Sequence, residues 1–287
     1  MIFINNKIEI AIIPVAGRGT RFFPITKSVS KTMLPICNKP TLQYILEEVI
    51  DANIKEIILV INQKQNDIIK YLDPNTMEEE KTYKLDEINN LINKLNIHYV
   101  IQPLPHGIGD AIIRCKEIIG NRDFSVLLGD DVIDKGCDNI YGIGSLIEKY
   151  MLDKANYIGV QYVEDDDRYK YGIVDIDNEY NLMNIVEKPI FSPPSNYAIV
   201  GRYIFENNIL NYLSSLNLDN ESEIKITDAL NKMIESEKIL VTTFNGIRYD
   251  MGDMYEFVIA NIEFLMKDSK LSKKLLKYMK KKLHSDM

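Results

Sequence analysis

Short apolar runs that alternate with helical segments constrain this chain most strongly. Residues Ile8–Val15 are mostly apolar and lead into a glycine-containing turn, which is typical of a strand buried on both faces of a parallel sheet. From Leu42 the apolar residues recur at helical spacing until Asn53, and a second apolar run follows at Glu56–Ile61. A strand, a helix and a second strand in this order predict one βαβ unit.

The same alternation continues along the chain. It predicts a strand at His98–Gln102, a helix over Gly109–Ile119 and a strand at Phe124–Leu128. After Ala155 the pattern changes to strands joined by short turns. These strands are expected at Tyr157–Val163, Tyr171–Ile176, Asn181–Pro189 and Ala198–Phe205. The predicted fold class is therefore α/β, with a doubly wound, mixed but mostly parallel sheet.

Further helices are expected outside the central alternation. Residues 66–96 form a polar, largely helical insertion, and two helices at Ile226–Glu235 and Met254–Lys267 complete the domain. A lysine-rich helix at Ser269–His284 closes the chain. A basic amphipathic helix can bind acidic lipid or another anion, but a solvated terminal helix is the more common outcome and is the one we expect.

Composition and charge exclude several classes of protein. The formal charge of −8 gives no electrostatic reason to expect a nucleic-acid partner. Three cysteines without CxxC spacing suit a reducing compartment and offer no disulfide framework. No apolar run reaches the roughly 18 residues of a membrane span, and the first strand runs into a turn instead of a cleavage site. We therefore expect a cytoplasmic protein that binds neither nucleic acid nor membrane.

The segment VAGRGTRFFPITKSVSKTMLP, Val15–Pro35, follows the first predicted strand directly. Gly17 and Gly19 permit backbone torsions and a close approach that turn their amides toward phosphate groups. Arg21, Lys27 and Lys31 add positive charge, which stabilises a phosphoryl-transfer transition state. The segment is neither a P-loop nor a GxGxxG dinucleotide fingerprint. A GxG by itself is equally compatible with an ordinary tight turn.

The whole string resembles the signature of the sugar-nucleotide pyrophosphorylases, and the resemblance extends from about Ile10 to Asp268. It implies a Rossmann-like, GT-A-like nucleotidyltransferase domain over residues 1–268, followed by the terminal helix at 269–287. The nucleotide would bind the half before about residue 135 and the sugar phosphate the half after it. The resemblance implies that the following residues bind the nucleotide: Ala16, Gly17, Gly19, Thr20 and Lys27. IQPLPHGIGDA similarly resembles the segment that reads the base, which nominates Gln102 and Gly107.

Two aspartates are nominated as magnesium ligands by the same resemblance. LLGDDVI places Asp130 at the end of a predicted strand, where α/β sheets bind ligands, and RYDMGD supplies Asp250. Two carboxylates together with phosphate oxygens and water suit Mg²⁺. Asp131 adjoins Asp130 and is the alternative ligand, although the offset from the glycine favours Asp130.

Two motifs resemble the sugar-phosphate site of the family. NIVEKP implies that Glu187 binds the glucose hydroxyls and that Lys188 binds the phosphate, while YGIV implies a close backbone approach at Gly172. Successive side chains on a strand face opposite ways, so both can reach one ligand only if the strand ends there, which Pro189 favours. The alternative is a surface ion pair between Glu187 and Lys188.

Within the superfamily the chain resembles bacterial UTP–glucose-1-phosphate uridylyltransferases most. The resemblance implies Mg²⁺-assisted attack of glucose 1-phosphate on UTP, which gives UDP-glucose and pyrophosphate. It also implies that Arg21, Lys31 and Lys188 are catalytic cations and that the protein is a homodimer or homotetramer. Ser30, Thr32 and Asp110 differ from the residues that are usual at these positions in the uridylyltransferases. Ser30 is more similar to the pattern of glucose-1-phosphate thymidylyltransferases, which use dTTP. A regulatory nucleotide-binding module and a UDP-sugar glycosyltransferase are further alternatives. Glycosyltransferases of this kind typically rely on a DxD metal motif, whereas LLGDDVI carries only Asp130 beside Asp131.

Overall fold

The computed structural model describes residues 7–76, 83–216 and 223–285. The described strands are β1 Ile10–Pro14, β2 Pro35–Ile36, β3 Lys39–Pro40, β4 Glu56–Ile61, β5 Asn96–Ile101, β6 Phe124–Leu127, β7 Asp131–Asp134, β8 Asn156–Tyr162, β9 Gly172–Ile176, β10 Leu182–Glu187, β11 Tyr197–Phe205, β12 Ile239–Thr242 and β13 Ile247–Asp250. The described helices are α1 Thr41–Asp51, α2 Asn66–Tyr71, α3 Tyr83–Ile92, α4 Gly107–Arg114, α5 Lys116–Ile119, α6 Ile143–Asp153, α7 Ile209–Ser214, α8 Ile226–Met233, α9 Met254–Met266 and α10 Ser269–Ser285.

The central sheet contains nine strands in the part of the chain that the structure describes. Its main path runs β10-β9-β11-β6-β1-β4-β5, and β8 and β12 extend from β11. The four strands β6, β1, β4 and β5 are mutually parallel, whereas β11 is antiparallel to β6, β8 and β9. The mixed, mostly parallel α/β sheet predicted from the sequence is confirmed, and strands from both halves of the chain belong to it.

Helices cover both faces of this sheet because its inner strands are apolar on both sides. In β1, Ala11 and Ile13 pack in one apolar cluster with α1 and α6, while Ile10 and Ile12 pack in a second cluster with α4, α7 and α8. Alternate residues of a strand point to opposite faces, so a strand between two helical layers must be apolar throughout. The doubly wound arrangement is therefore confirmed.

Several elements differ from the sequence-based prediction. The helix expected over 109–119 is two helices, α4 and α5, that meet at Cys115. Helices α6 and α7 and the strands β7, β12 and β13 were not predicted. The insertion contains α2 and α3, and residues 77–82 of the predicted helical segment lie outside the described residues, as do residues 1–6.

The lysine-rich helix α10 forms as predicted and contacts α9. Its described side chains are mostly exposed. Within the described residues, none of the helices combines the length and apolar character that crossing a bilayer requires.

Candidate active site

The glycine-rich segment leaves β1 at the carboxyl edge of the sheet. The amide of Val15 still donates to the carbonyl of Val60, and the chain then turns away through Gly17 and Gly19. Gly19 has φ 61°, a left-handed conformation that glycine adopts without strain, and its carbonyl accepts a hydrogen bond from Thr26 Oγ1 at 2.8 Å. Three short 3₁₀ turns follow, at Thr20–Phe22, Ile25–Lys27 and Lys31–Met33. This geometry aims Arg21 and Lys31 back toward the sheet edge.

A pocket of about 910 Å³ lies at this edge. That volume is at the upper end of the range for small-molecule sites and can hold two substrates of modest size. The sequence-predicted residues that line it are Ala16, Gly17, Arg21, Lys31, Gln102, Gly107, Asp130, Gly172, Glu187, Lys188 and Asp250. Gly19, Thr20 and Lys27 lie outside the lining, because they form the turn and the 3₁₀ segments behind the loop. Their contact with the nucleotide stays a prediction.

Asp130 and Asp250 approach each other although 120 residues separate them. The amide of Met251 donates to the carbonyl of Asp130 at 2.8 Å, which fastens the end of β13 beside the end of β6. A Cβ built at Gly252 would lie 2.5 Å from Arg21 Nη2, 2.7 Å from Asp250 Oδ1 and 2.7 Å from Lys31 Nζ. The ends of these three charged side chains therefore converge on the space beside Gly252, where a larger residue would displace them.

Lys31 and Asp130 form a direct ion pair in the pocket. Lys31 Nζ lies 2.6 Å from Asp130 Oδ2, and about 35% of the Asp130 side chain is exposed. Burial alone would raise the pKa of Asp130, but Lys31, with Arg248 and Arg21 nearby, outweighs it and lowers the pKa below its usual value. The carboxylate is thus kept ionised at the pocket wall.

Asp131 has a different environment from its neighbour. Strands β7 and β13 pair antiparallel with Asp131 opposite Asp250, and Arg248 binds Asp131 Oδ1 through Nη2 at 2.5 Å and Nε at 2.6 Å. Burial raises the pKa of Asp131 despite the opposing effect of Arg248. Its side chain is only 6% exposed. These contacts favour Asp130 over Asp131 as the carboxylate open to a ligand.

Arg248 is a site residue that the sequence analysis missed. Its Nη2 lies 3.7 Å from Asp250 Oδ2, and its guanidinium lies 4.7 Å from the ring centroid of Tyr171, which also lines the pocket. Burial would lower the pKa of Arg248, but Asp131, Tyr171 and Asp250 raise it. Because Arg248 and Asp250 are two residues apart on a strand, they share a face, and this spacing was the available signal.

The described carboxylates fit a divalent cation that shares its ligands with substrate. No group of three or more His, Cys, Asp or Glu side chains is arranged to hold a metal within 7–76, 83–216 and 223–285. Mg²⁺ commonly binds through one or two protein carboxylates and completes its shell with phosphate oxygens and water. Asp130 and Asp250 line one pocket and match that pattern.

Glu187 and Lys188 also line the pocket. Strand β10 ends at Glu187, and Lys188 takes φ 47° while its amide donates to the carbonyl of Tyr171 at 2.9 Å. A lysine in this conformation is strained, which is a feature that clusters at functional sites. The strand therefore ends where the sequence analysis required, so both residues reach the pocket. No ion pair joins them in the described structure.

The remaining wall is formed by Gln102, Gly107 and the segment before α8. Gly107 has φ 89°, and a Cβ there would lie 2.6 Å from the carbonyl oxygen of Ile224. Two pocket-lining hydroxyls, those of Thr32 and Thr227, are buried without a hydrogen-bond partner among the described residues. Buried hydroxyls are normally satisfied, so these two are candidate ligand contacts that sequence reasoning did not identify.

Comparisons with known proteins agree with this geometry. The profile of the nucleotidyl transferase family matches residues 10–266. The UTP–glucose-1-phosphate uridylyltransferase of Bacillus subtilis (strain 168) is 38% identical over 292 residues, which cover 98% of this chain and 99% of that protein.

Two solved structures are also similar. A UDP-glucose pyrophosphorylase complexed with UDP-glucose has a TM-score of 0.83 and 32% identity, over 91% of this chain and 99% of that one. A UTP-bound UGPase from Acinetobacter baumannii has a TM-score of 0.84 and 30% identity, over 95% of this chain and 98% of that one. The resemblance drawn from the motifs is confirmed.

Proposed function

The chain belongs to the nucleotidyl transferase family, and we propose that its pocket joins UTP and glucose 1-phosphate to give UDP-glucose and pyrophosphate. The observation that carries this assignment is the convergence of Arg21, Lys31 and Asp250 around Gly252, with Asp130 paired to Lys31. Lys188 lines the same pocket. Such an arrangement suits a reaction between two phosphate groups.

The reaction is an in-line displacement. A phosphate oxygen of glucose 1-phosphate forms a bond to the α-phosphorus of UTP as the bond from that phosphorus to the β-phosphate oxygen breaks, and pyrophosphate leaves with the electron pair. No side-chain nucleophile is needed, so catalysis consists of positioning and charge stabilisation. Lys188 holds the sugar phosphate, while Arg21 and Lys31 offset charge on the triphosphate. Glu187 accepts hydrogen bonds from glucose hydroxyls.

Mg²⁺ is the proposed cofactor, and Asp130 and Asp250 would hold it. When bound, the ion supplies neutralisation of phosphate charge. Lys31 contacts one oxygen of Asp130, so its ammonium group would lie beside the phosphates of a triphosphate held at this carboxylate. The glycine amides at Gly17 and Gly19 are the proposed phosphate donors.

The choice among the alternatives follows from the relatives. Those reported above are named for UTP or UDP-glucose, which favours UTP over dTTP despite Ser30. The site retains both carboxylates and the three cations, which favours a working enzyme over a regulatory module. A cytoplasmic location, a homodimer or homotetramer, and a division near residue 135 into nucleotide and sugar halves remain our predictions.

Pyrophosphate release tests the function directly. The full chain should release pyrophosphate when UTP, glucose 1-phosphate and Mg²⁺ are mixed, and omission of any one of them should abolish the signal. With dTTP in place of UTP we expect a lower kcat/KM. Lys188→Ala should reduce turnover by about 10² to 10³, because a positioned cation is lost. Lys135→Ala removes an exposed lysine that pairs with Asp51 and is the matched control. Release that needs no glucose 1-phosphate would refute the proposal.

A further inference from the structure

Gln102 is held in a way that exposes only one end of its amide to the pocket. It follows β5, is 5% exposed and lines the pocket. Its Nε2 donates to the carbonyl of Gly107 at 3.0 Å and to Asp110 Oδ2 at 2.8 Å. An amide nitrogen carries two hydrogens, so both are used within the protein. No described residue donates to Oε1, which is therefore left for a ligand.

Asp110 fixes this orientation through a second contact. The same Oδ2 accepts from Nε of Arg114 at 2.8 Å, one turn further along α4. A carboxylate paired with a guanidinium only accepts hydrogen bonds. If the Gln102 amide flipped, its oxygen would face the Asp110 and Gly107 oxygens, and both hydrogen bonds that Gln102 donates would be lost. Asp110 is itself only 6% exposed, so water cannot easily relieve that contact.

We propose that Asp110, held by Arg114, makes Gln102 a hydrogen-bond acceptor toward the base and so selects a pyrimidine that carries hydrogen on N3. The proposal rests on the proposed function, in which Gln102 contacts the base of UTP. Uracil and thymine donate from N3, whereas N3 of cytosine is an acceptor. A cytosine in the same position would place its N3 lone pair against Oε1. Asp110 is thus a positioning residue that acts through Gln102.

The isosteric change Asp110→Asn tests the proposal, because an asparagine amide can donate to Oε1 of a flipped Gln102. The carbonyl of Gly107 still favours the original orientation, so we expect a partial effect. The ratio of kcat/KM for UTP to that for CTP should fall about tenfold. The ratio for UTP to dTTP should not change, because both bases donate from N3.

Asp51→Asn is the matched control, since Asp51 is also an ion-paired carboxylate but lies away from the pocket lining. It should leave both ratios at their wild-type values. A merely structural role for Asp110 would lower kcat/KM equally for all three nucleotides. An unchanged ratio of UTP to CTP would therefore overturn the proposal.

Arg114→Gln provides a second test on an exposed side chain, in case Asp110→Asn does not fold. It should lower the ratio of UTP to CTP in the same direction, by about threefold. Wild-type enzyme that accepts CTP as readily as UTP would also overturn the proposal. These outcomes differ from failure of the proposed function, in which the wild-type chain would release no pyrophosphate from UTP and glucose 1-phosphate.

Discussion

Two carboxylate–cation pairs lie close together at the carboxyl edge of the sheet and differ in their access to solvent. Glu48 and Arg202 are 1% and 0% exposed, and both Glu48 oxygens bind the Arg202 guanidinium, at 2.8 and 2.7 Å. The Asp130 side chain is 35% exposed and is paired through a single oxygen with Lys31. The Glu48–Arg202 pair is enclosed by protein and is the closed pair, whereas the Lys31–Asp130 pair faces the pocket and is the open pair.

The additional hydrogen bonds of the closed pair explain the difference. Glu48 Oε1 also accepts from the amide of Ile143, and Arg202 donates to the carbonyl of Asp131, next to Asp130. A buried pair with all partners satisfied cannot exchange them without leaving a charge uncompensated. A half-open pair can exchange one partner for a ligand. We infer that the first pair holds the site in place and the second takes part in binding.

The largest effect is expected from breaking the closed pair. Glu48→Gln leaves the Arg202 charge buried without a counterion, so the free energy of unfolding should fall by about 3–5 kcal/mol. Urea unfolding followed by circular dichroism measures it. The neighbouring Glu47→Gln is the control, because Glu47 pairs with Lys39 in a more exposed position and should cost about 1 kcal/mol or less. Equal losses in the two variants would contradict the comparison.

Breaking the open pair should lower activity strongly and stability only slightly. Asp130→Ala should reduce turnover by about 10² to 10³, because it removes a charged group placed beside the reacting phosphates. The free energy of unfolding should change by about 1 kcal/mol or less, since the Asp130 side chain is partly exposed to solvent. Pyrophosphate release and urea unfolding measure the two quantities. Near-normal turnover would argue against a role for Asp130 in the site.

Arg248 lies between these extremes, because it is buried but contacts a pocket carboxylate. Arg248→Lys keeps the charge but loses the two-nitrogen contact with Asp131 and the stacking on Tyr171, so Asp250 is held less firmly. Turnover should fall about tenfold. The Mg²⁺ concentration for half-maximal activity should rise, which a general loss of stability would not cause. An unchanged Mg²⁺ requirement would show that Arg248 does not position Asp250.

The sequence predicted the parts of the site that depend on local pattern. Strand β1 and its glycine-rich turn are contiguous, and the end of β10 at Glu187 followed from Pro189. The spacing of Ile143, Leu146 and Tyr150 is also helical, so α6 could have been predicted but was not.

The pairing of β7 with β13 could not be predicted in the same way. Each strand has four residues, and its partner lies more than a hundred residues away, so no local periodicity reports the contact. The contact between Arg248 and Asp131 depends on that pairing, as do the roles of the two adjacent aspartates. Likewise, Asp110 was visible in the sequence, but its hydrogen bond to Gln102 needs the geometry of α4 against the end of β5.

The smallest effect is expected at a partly exposed ion pair outside the pocket. Arg122 binds both oxygens of Glu56, at 2.6 and 3.1 Å, with side chains 40% and 21% exposed. Hydrogen bonding to Arg122 lowers the pKa of Glu56 from its usual 4.5 despite the opposing effect of burial. Removing the charge with Glu56→Gln should lower the free energy of unfolding by about 1 kcal/mol or less at neutral pH.

The lowered pKa of Glu56 predicts how the difference in stability between wild type and Glu56→Gln changes with pH. A carboxyl group whose pKa is lower in the folded state stabilises the fold fully above its unfolded-state pKa, and the contribution is lost as pH falls through the folded-state pKa. The difference between wild type and Glu56→Gln should therefore be constant at neutral pH and shrink below about pH 4.5. Urea unfolding across this range measures it, and high salt should reduce it because the pair is exposed. A difference that grows on acidification would mean that Glu56 stabilises the fold through its protonated form, contrary to its pairing with Arg122.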